Sequence, residues 1–219
     1  MALAFLQDNP KVARSGPFLD QFRYERRQHP LSGAHISSFF GLEKILRYQL
    51  TNGAEADIKG PGNWTPLSVA VQNGREAVVE LLIARKDVDV NSKDYLDRSS
   101  LWYAVAYGHE AVVRLLLARP EIEVNHPSPL RLAAEKGHEA VVRLLLARPE
   151  IEVNLGGGDP HRSPLSWAVV NGHEAVVSLL LERADVEVNS KRDRLDSPLF
   201  LARRSRTRGM QTQRTFGST

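Results

Sequence analysis

Three kinds of segment in this chain carry residues that catalysis or ligand binding uses. "HEAVV" begins at His109, His138 and His173 and invites comparison with the zinc-protease pattern H-E-x-x-H, whose two imidazoles sit one helical turn apart. The fifth position is Val113, Val142 or Val177 each time. No second imidazole shares the face, so no metal site is expected. The His and Glu read as helix-start residues, the acid favoured by the positive end of the helix dipole. "LGGGDPH", Leu155 to His161, has the glycines of a phosphate loop but lacks its Lys and Ser/Thr; it reads as a flexible turn. "GPGNW", Gly60 to Trp64, lacks the third glycine and the preceding strand of a dinucleotide fingerprint. No cofactor is expected.

The elements that would position such residues must come from a globular chain. Of its 219 residues 42% are hydrophobic and 25% charged, enough to bury a core. There is no Cys, which removes thiolate chemistry and disulfide scaffolds and suits the cytosol or nucleus. The opening "MALAFLQDNP" lacks the shape of a secretory signal, and no window has the roughly 18 apolar residues of a membrane span. Arg203, Arg204, Arg206, Arg208 and Arg214 lie in a final segment without acids; the rest of the chain holds 24 basic against 26 acidic residues. The positive charge is therefore a property of the tail. Nucleic acid is an expected partner only through that tail, since basic and aromatic residues interleave in "RSSLWYAVAYG" and "SPLFLARR" without forming a nucleic-acid module.

The dominant signal is self-similarity. "GHEAVVRLLLARPEIEVN" runs from Gly108 to Asn125 and returns unchanged from Gly137 to Asn154. Glycines at 41, 74, 108, 137 and 172 mark intervals of 33, 34, 29 and 35 residues, which identifies a repeat architecture. Thr65, Ser128 and Ser163 each precede a Pro, the arrangement of an N-cap with Pro at the first helical position. Leu67, Ala70 and Val71 then share one face of a short helix that Gly74 ends. After the glycine, Ala77, Val78, Leu81 and Leu82 read as the stripe of a second helix. Helices this short are unstable alone, so each pair is held by its neighbours.

"TPLSVAVQNGREAVVELLIARKDVDVN" resembles the ankyrin repeat, T-P-L-H-x-A-A-x-x-G-H-x-x-V-V-x-L-L-L followed by a loop and turn. The "GHEAVVRLLL" form is similar to arrays common in filamentous fungi, often attached to larger nucleotide-hydrolysing signalling proteins. The resemblance implies an all-α solenoid over residues 32–203, with repeats at about 32–64, 65–98, 99–127, 128–162 and 163–196 and a half-repeat at 197–203. Residues 1–31 read as a capping helix, with Phe18, Leu19 and Phe22 on one side, or as a linker from a longer ancestor. Residues 204–219 read as a basic mobile tail. The His after T-P-L is replaced by Ser68, Trp102, Arg131, Ser166 and Phe200. The 29-residue interval leaves only "HPS" between the third and fourth repeats, where a notch in the row of turns is expected.

The function implied is non-catalytic binding of another protein in a concave groove, by a monomer. Trp102, Arg131 and Ser166, at equivalent positions after T-P-L, are expected to form a column with helices about 8 to 10 Å apart. Tyr107 and Lys136, just before their marker glycines, would flank it, and Tyr95 and Arg98 would approach from the turn. Trp64, Glu135 and Asn171, at the other variable turn and pre-glycine positions, complete the expected set. The alternative for Trp102 is packed core with Arg131 stacked on it. A rival reading makes the groove a small-molecule pocket with acid–base chemistry by His126, Glu135 or His161. The resemblance puts Ser68, Ser166 and His35 on the first helices as candidates for nucleophilic catalysis, but no motif gives any Ser a His and an acid.

Overall fold

The structure, a computed structural model, is described for residues 31–156 and 162–188. The expected N-terminal cap, the half-repeat at 197–203, the basic tail and His161 lie outside the described residues. Among those described there are ten α-helices and no strand beyond one isolated bridge, Lys93 to Ser99. The chain forms two compact units, one up to Tyr103 and one from Ala104.

In the first unit α1 (Gly33–Phe40) and α2 (Glu43–Thr51) form one pair, and α3 (Pro66–Gln72) and α4 (Glu76–Ile83) the next. Helix α1 packs on α3 and α2 on α4. A helix α5 (Ser100–Ala106) spans the junction of the units. The second unit contains α6 (Glu110–Leu117), α7 (Pro129–Lys136), α8 (Glu139–Leu146), α9 (Pro164–Val170) and α10 (Glu174–Leu181). There α7 packs on α9, and α8 lies against both α6 and α10.

Local chemistry starts and stops these helices as the sequence predicts, with one exception. Thr65 forms a reciprocal capping box with Ser68: the Ser68 N–H donates to Thr65 Oγ1 at 3.2 Å, and the Thr65 N–H to Ser68 Oγ at 2.9 Å. Ser163 accepts the Ser166 N–H at 3.2 Å. Ser128 does not cap. It adopts φ 54°, ψ 66°, and its hydroxyl donates to Leu155 O at 2.8 Å. The shortened "HPS" turn brings the chain into α7 with left-handed backbone, which turns the Ser128 side chain away from the first turn. Gly41, Gly74, Gly108, Gly137 and Gly172 all have φ between 62° and 73°. After each, the next N–H donates to a carbonyl five residues back, at Ser37, Ala70, Ala104, Ala133 or Ala168, over 2.8 to 3.0 Å. That closure is a Schellman turn, and a Glu then opens every second helix.

The buried stripe of the second helices is shifted by one residue from the sequence expectation. In α4 it comprises Val78, Val79, Leu82 and Ile83, while Ala77 is exposed and Leu81 half-buried. The glycine turn fixes how the second helix is rotated, and it aims the Val pair at the core. Val112, Val113 and Leu116 repeat the arrangement, as do Val141, Val142 and Leu145. The first helices are buried on more than one side; Leu67, Ala70, Val71 and their neighbours in α3 are all covered.

Three side-chain devices tie one repeat of the second unit to the next. Asn125 gives Nδ2–H to Glu150 O and takes the Glu152 N–H, both at 2.9 Å; Asn154 does the same with Asp185 O at 2.7 Å and Glu187 N at 2.8 Å. Arg148 donates to Leu117 O at 2.8 Å and Arg183 to Leu146 O at 3.1 Å, capping the preceding second helix. His138 and His173, expected only to start their helices, also lie against the preceding glycine. A Cβ on Gly108 would sit 2.9 Å from the His138 ring, and one on Gly137 would sit 2.6 Å from His173 Nδ1. In the first unit Arg75 takes the histidine's place, reaching Phe39 O at 2.9 Å.

Candidate partner-binding surface

The position after each cap separates folding residues from surface residues. His35, Ser68 and Ser166 stand there in three repeats and are buried. The Ser68 hydroxyl donates to Thr65 O at 2.9 Å, and Ser166 Oγ accepts from Ser163 Oγ at 3.1 Å. These hydroxyls belong to their own caps. His35 is the residue the ankyrin-like pattern prescribes at this position, in a repeat where "SGAH" replaces T-P-L-H. In the other two repeats the position holds Trp102 and Arg131, both partly exposed.

In the first unit the site is built on Asp94, whose side chain is only 1% exposed. One carboxylate oxygen accepts the N–H groups of Leu96 at 2.9 Å and Arg98 at 3.0 Å; the other accepts Arg98 Nε–H at 2.9 Å and the Tyr103 hydroxyl. Burial pushes the Asp94 carboxyl up, but the hydrogen bonds from Tyr103 and Arg98 outweigh it and hold the group below the usual carboxylate range. The Arg98 guanidinium carbon lies 5.2 Å from the Trp102 ring centre and 5.0 Å from that of Tyr103. Trp102 meets Tyr103 edge-on at 5.1 Å, and Trp64 packs on Tyr103 at 4.7 Å. This network holds a turn whose tip carries Tyr95, 59% exposed, and Leu96. The Tyr95 N–H reaches Gly62 O, 3.1 Å away in the preceding turn.

In the second unit Arg131 pairs with Glu135 at 2.7 Å, one turn along α7. Two guanidinium groups face the Trp167 ring, Arg131 at 5.9 Å and Arg162 at 5.5 Å. The Glu135 carbonyl is held by Asn171 Nδ2 and His173 Nε2, both at 3.0 Å. Lys136 is exposed, and Tyr107, 54% exposed, stacks on His109 at 5.9 Å.

The structure therefore groups Tyr95, Arg98 and Trp102 in the first unit. In the second, Arg131, Glu135 and Asn171 come together. Two expected binding residues are corrected. Trp64 is 5% exposed because its indole backs the Tyr103 ring, and Ser166 is fully buried as the partner of its helix cap. Sequence reasoning missed Asp94, Leu96, Arg162 and Trp167. The signal was present for the last, because Trp167 follows Ser166 as Tyr103 follows Trp102, and Arg162 precedes it by the same five residues that separate Arg98 from Tyr103.

Comparison with known proteins follows the same lines. The family model described as ankyrin repeats (3 copies) matches residues 34–128 and 120–192. The crystal structure of the human ASB11 ankyrin repeat domain superposes with a TM-score of 0.67 at 24% identity, covering 78% of this chain and 77% of that one. That likeness is one of fold. No curated protein matches the sequence.

Proposed function

The chain belongs to the ankyrin-repeat family, whose repeats generally mediate protein–protein interaction, and on that premise we propose that it binds another protein without catalysing a reaction. The reading rests on one observation. Where the residue after the cap is Ser or His it is spent on the fold, whereas in the two middle repeats it is a partly exposed Trp102 or Arg131. Tyr, Trp and Arg dominate binding hot spots because they join large contact area to hydrogen bonding. Tyr95, Arg98 and Trp102 form the proposed contact of the first unit; Tyr107, Arg131, Glu135, Lys136 and Asn171 form that of the second. A rigid support favours them, since Arg98 is fixed by Asp94 and needs little further ordering on binding. The protein acts as a monomer in the cytosol or nucleus in this reading. Among the described residues no helix is long and apolar enough to cross a membrane.

The test is capture of partners from native extract on the full chain, followed by affinity measurement with the protein identified. Replacing Tyr107 and Arg131 together by Ala is expected to weaken that complex by at least about 2 kcal/mol. The melting temperature should change little, because Tyr107 is exposed and the Arg131–Glu135 pair is a partly solvated one. Unchanged affinity in the double variant would place the contact elsewhere.

A further inference from the structure

The first described repeat leaves open a face that later repeats close. Counted from the marker glycines, Ile45 stands where Val78, Val141 and Val176 stand on their second helices. Those three valines are at most 1% exposed, whereas Ile45 is 49% exposed. The difference follows what stands before each helix: α4 packs on α2, α8 on α6 and α10 on α8, while no described helix precedes the first pair. The opposite side behaves in reverse. Leu46 and Leu50 are buried, as are Val79 and Ile83, but their equivalents in the last described helix are not: Val177 is half-buried and Leu181 is 50% exposed. Each second helix therefore turns the residue four after its glycine toward the preceding repeat, and those five and nine after it toward the following one. The residues beside Ile45 differ in kind as well. Where Arg75, His138 and His173 lie against the glycine of the preceding repeat, the first repeat has the exposed Leu42. Where Leu81, Leu144 and Leu179 are partly or wholly covered, it has Tyr48, 70% exposed. Leu42, Ile45 and Tyr48 make an apolar row along one side of α2, the kind of surface that marks a contact.

We propose that this chain covers the row itself, with a helical turn containing Phe18, Leu19 and Phe22, which lie outside the described residues. The spacing fits: Phe18 and Phe22 are four apart, as are Val79 and Ile83, the pair that a second helix turns toward the repeat after it. The reach fits as well. Ser32, the cap of α1, follows Phe22 by ten residues, and Ser128, before α7, follows Leu117 by eleven in the shortest described connection. The row itself selects an apolar, aromatic complement, since it replaces the basic residue that would lie on a glycine turn by Leu42. A helical period then sets Asp20, Arg23 and Arg27 on the far side, giving the stack of repeats a polar outer end. Covalent attachment favours this occupant over a second copy or a free partner, because a short linker holds the segment at an effective concentration on the order of millimolar. The proposal is independent of the binding function above.

The chain has no Cys, so two introduced thiols report the contact without interference. With Phe22→Cys and Ile45→Cys in the full chain, mild oxidation at low protein concentration should give a cross-link within one molecule. Asp20→Cys with Ile45→Cys, on the far side of the same turn, should cross-link at least about tenfold more slowly, because a disulfide tolerates only a narrow range of separations. Equal rates for the two pairs, or no cross-link in either, overturn the proposal. Cross-links between molecules that grow with concentration would assign the row to a second copy and overturn it too. Chemical unfolding gives a second reading without thiols. Phe22→Ala should lower the midpoint and remove most of the effect that Ile45→Ala has in the parent, since both delete one contact. Additive losses, or an Ile45→Ala variant as stable as the parent, would mean that this segment does not sit on Ile45.

Discussion

His35 shows how one side chain ties the stability of the first repeat to pH. The Ser32 N–H donates to Nδ1 at 3.2 Å, so that nitrogen is unprotonated and the ring proton sits on Nε2, which donates to Trp64 O at 2.9 Å. A second proton, on Nδ1, would face the Ser32 N–H and leave only the Ser32 hydroxyl oxygen, 2.8 Å away, to accept it. Burial pulls the imidazole below its ordinary value of 6.5, and the Trp64 carbonyl only partly opposes this. Because the unfolded chain binds the proton more readily, the contribution of His35 is complete above 6.5 and is lost as pH falls through the folded value. Denaturant unfolding should show stability declining below that point, and His35→Gln should cost stability at neutral pH while flattening the decline. Asp57 runs the other way. One of its oxygens is buried without a partner; burial, with the neighbouring Asp89 charge also raising it, pushes the carboxyl up to about 6, although the Asp89 N–H bonds to it. The folded value lies above the unfolded 3.8, so its contribution is present below 3.8 and is lost as pH rises through about 6. Asp57→Asn should therefore stabilise the protein at neutral pH, by about 1 kcal/mol once solvent screening is allowed for, and by less in acid. Equal effects of Asp57→Asn at both pH values would contradict the assignment.

At the scale of elements, Leu116 is the test of how the second helices are held. It is completely buried in α6, and Leu116→Ala is expected to cost roughly 2 to 5 kcal/mol in chemical unfolding. A loss below about half a kcal/mol would mean that this face does not carry the packing. Helix starts and stops were legible in the sequence because their causes are local: a Thr–Pro or Ser–Pro pair, a glycine, a Glu after it. Where a cause lies one repeat away, reading failed. Ser128 carries the same Ser–Pro signal as Ser163, yet its hydroxyl bonds to Leu155, 27 residues on. The stripe of α4 was misplaced by one residue because the glycine turn, and not the helix's own periodicity, sets its rotation. The candidate site was legible in part for a related reason. Position within the repeat pointed to Trp102 and Arg131, but whether a polar residue there faces outward depends on whether a cap claims it, as one claims Ser166. The Asp57 anomaly belongs to the same scale. In the first repeat Lys59 stands where Asn125 and Asn154 clasp the next repeat, and a carboxylate two residues earlier takes over half of that task.

At the scale of the whole molecule, stability that passes from repeat to repeat should tolerate the loss of a complete unit. A variant lacking residues 108–136 joins Tyr107 directly to Gly137, and its new junction reads as the old one does, because the eighteen residues that begin at Gly108 and at Gly137 are the same. It should fold with undiminished helix content per residue and a lower unfolding midpoint; an aggregated or molten product would show that the copies are not interchangeable. The identical block contains the second helix, the Arg that caps its neighbour and the Asn that clasps it, whereas the first helices on either side, "SSLWYAVAY" and "SPLRLAAEK", differ in most positions. An unequal exchange between two such copies in a lineage would thus gain or lose a whole first helix at a seamless boundary. Descendants would inherit an unaltered scaffold with a different set of contact residues, so novelty in recognition can arise here through a change in copy number before any residue has mutated.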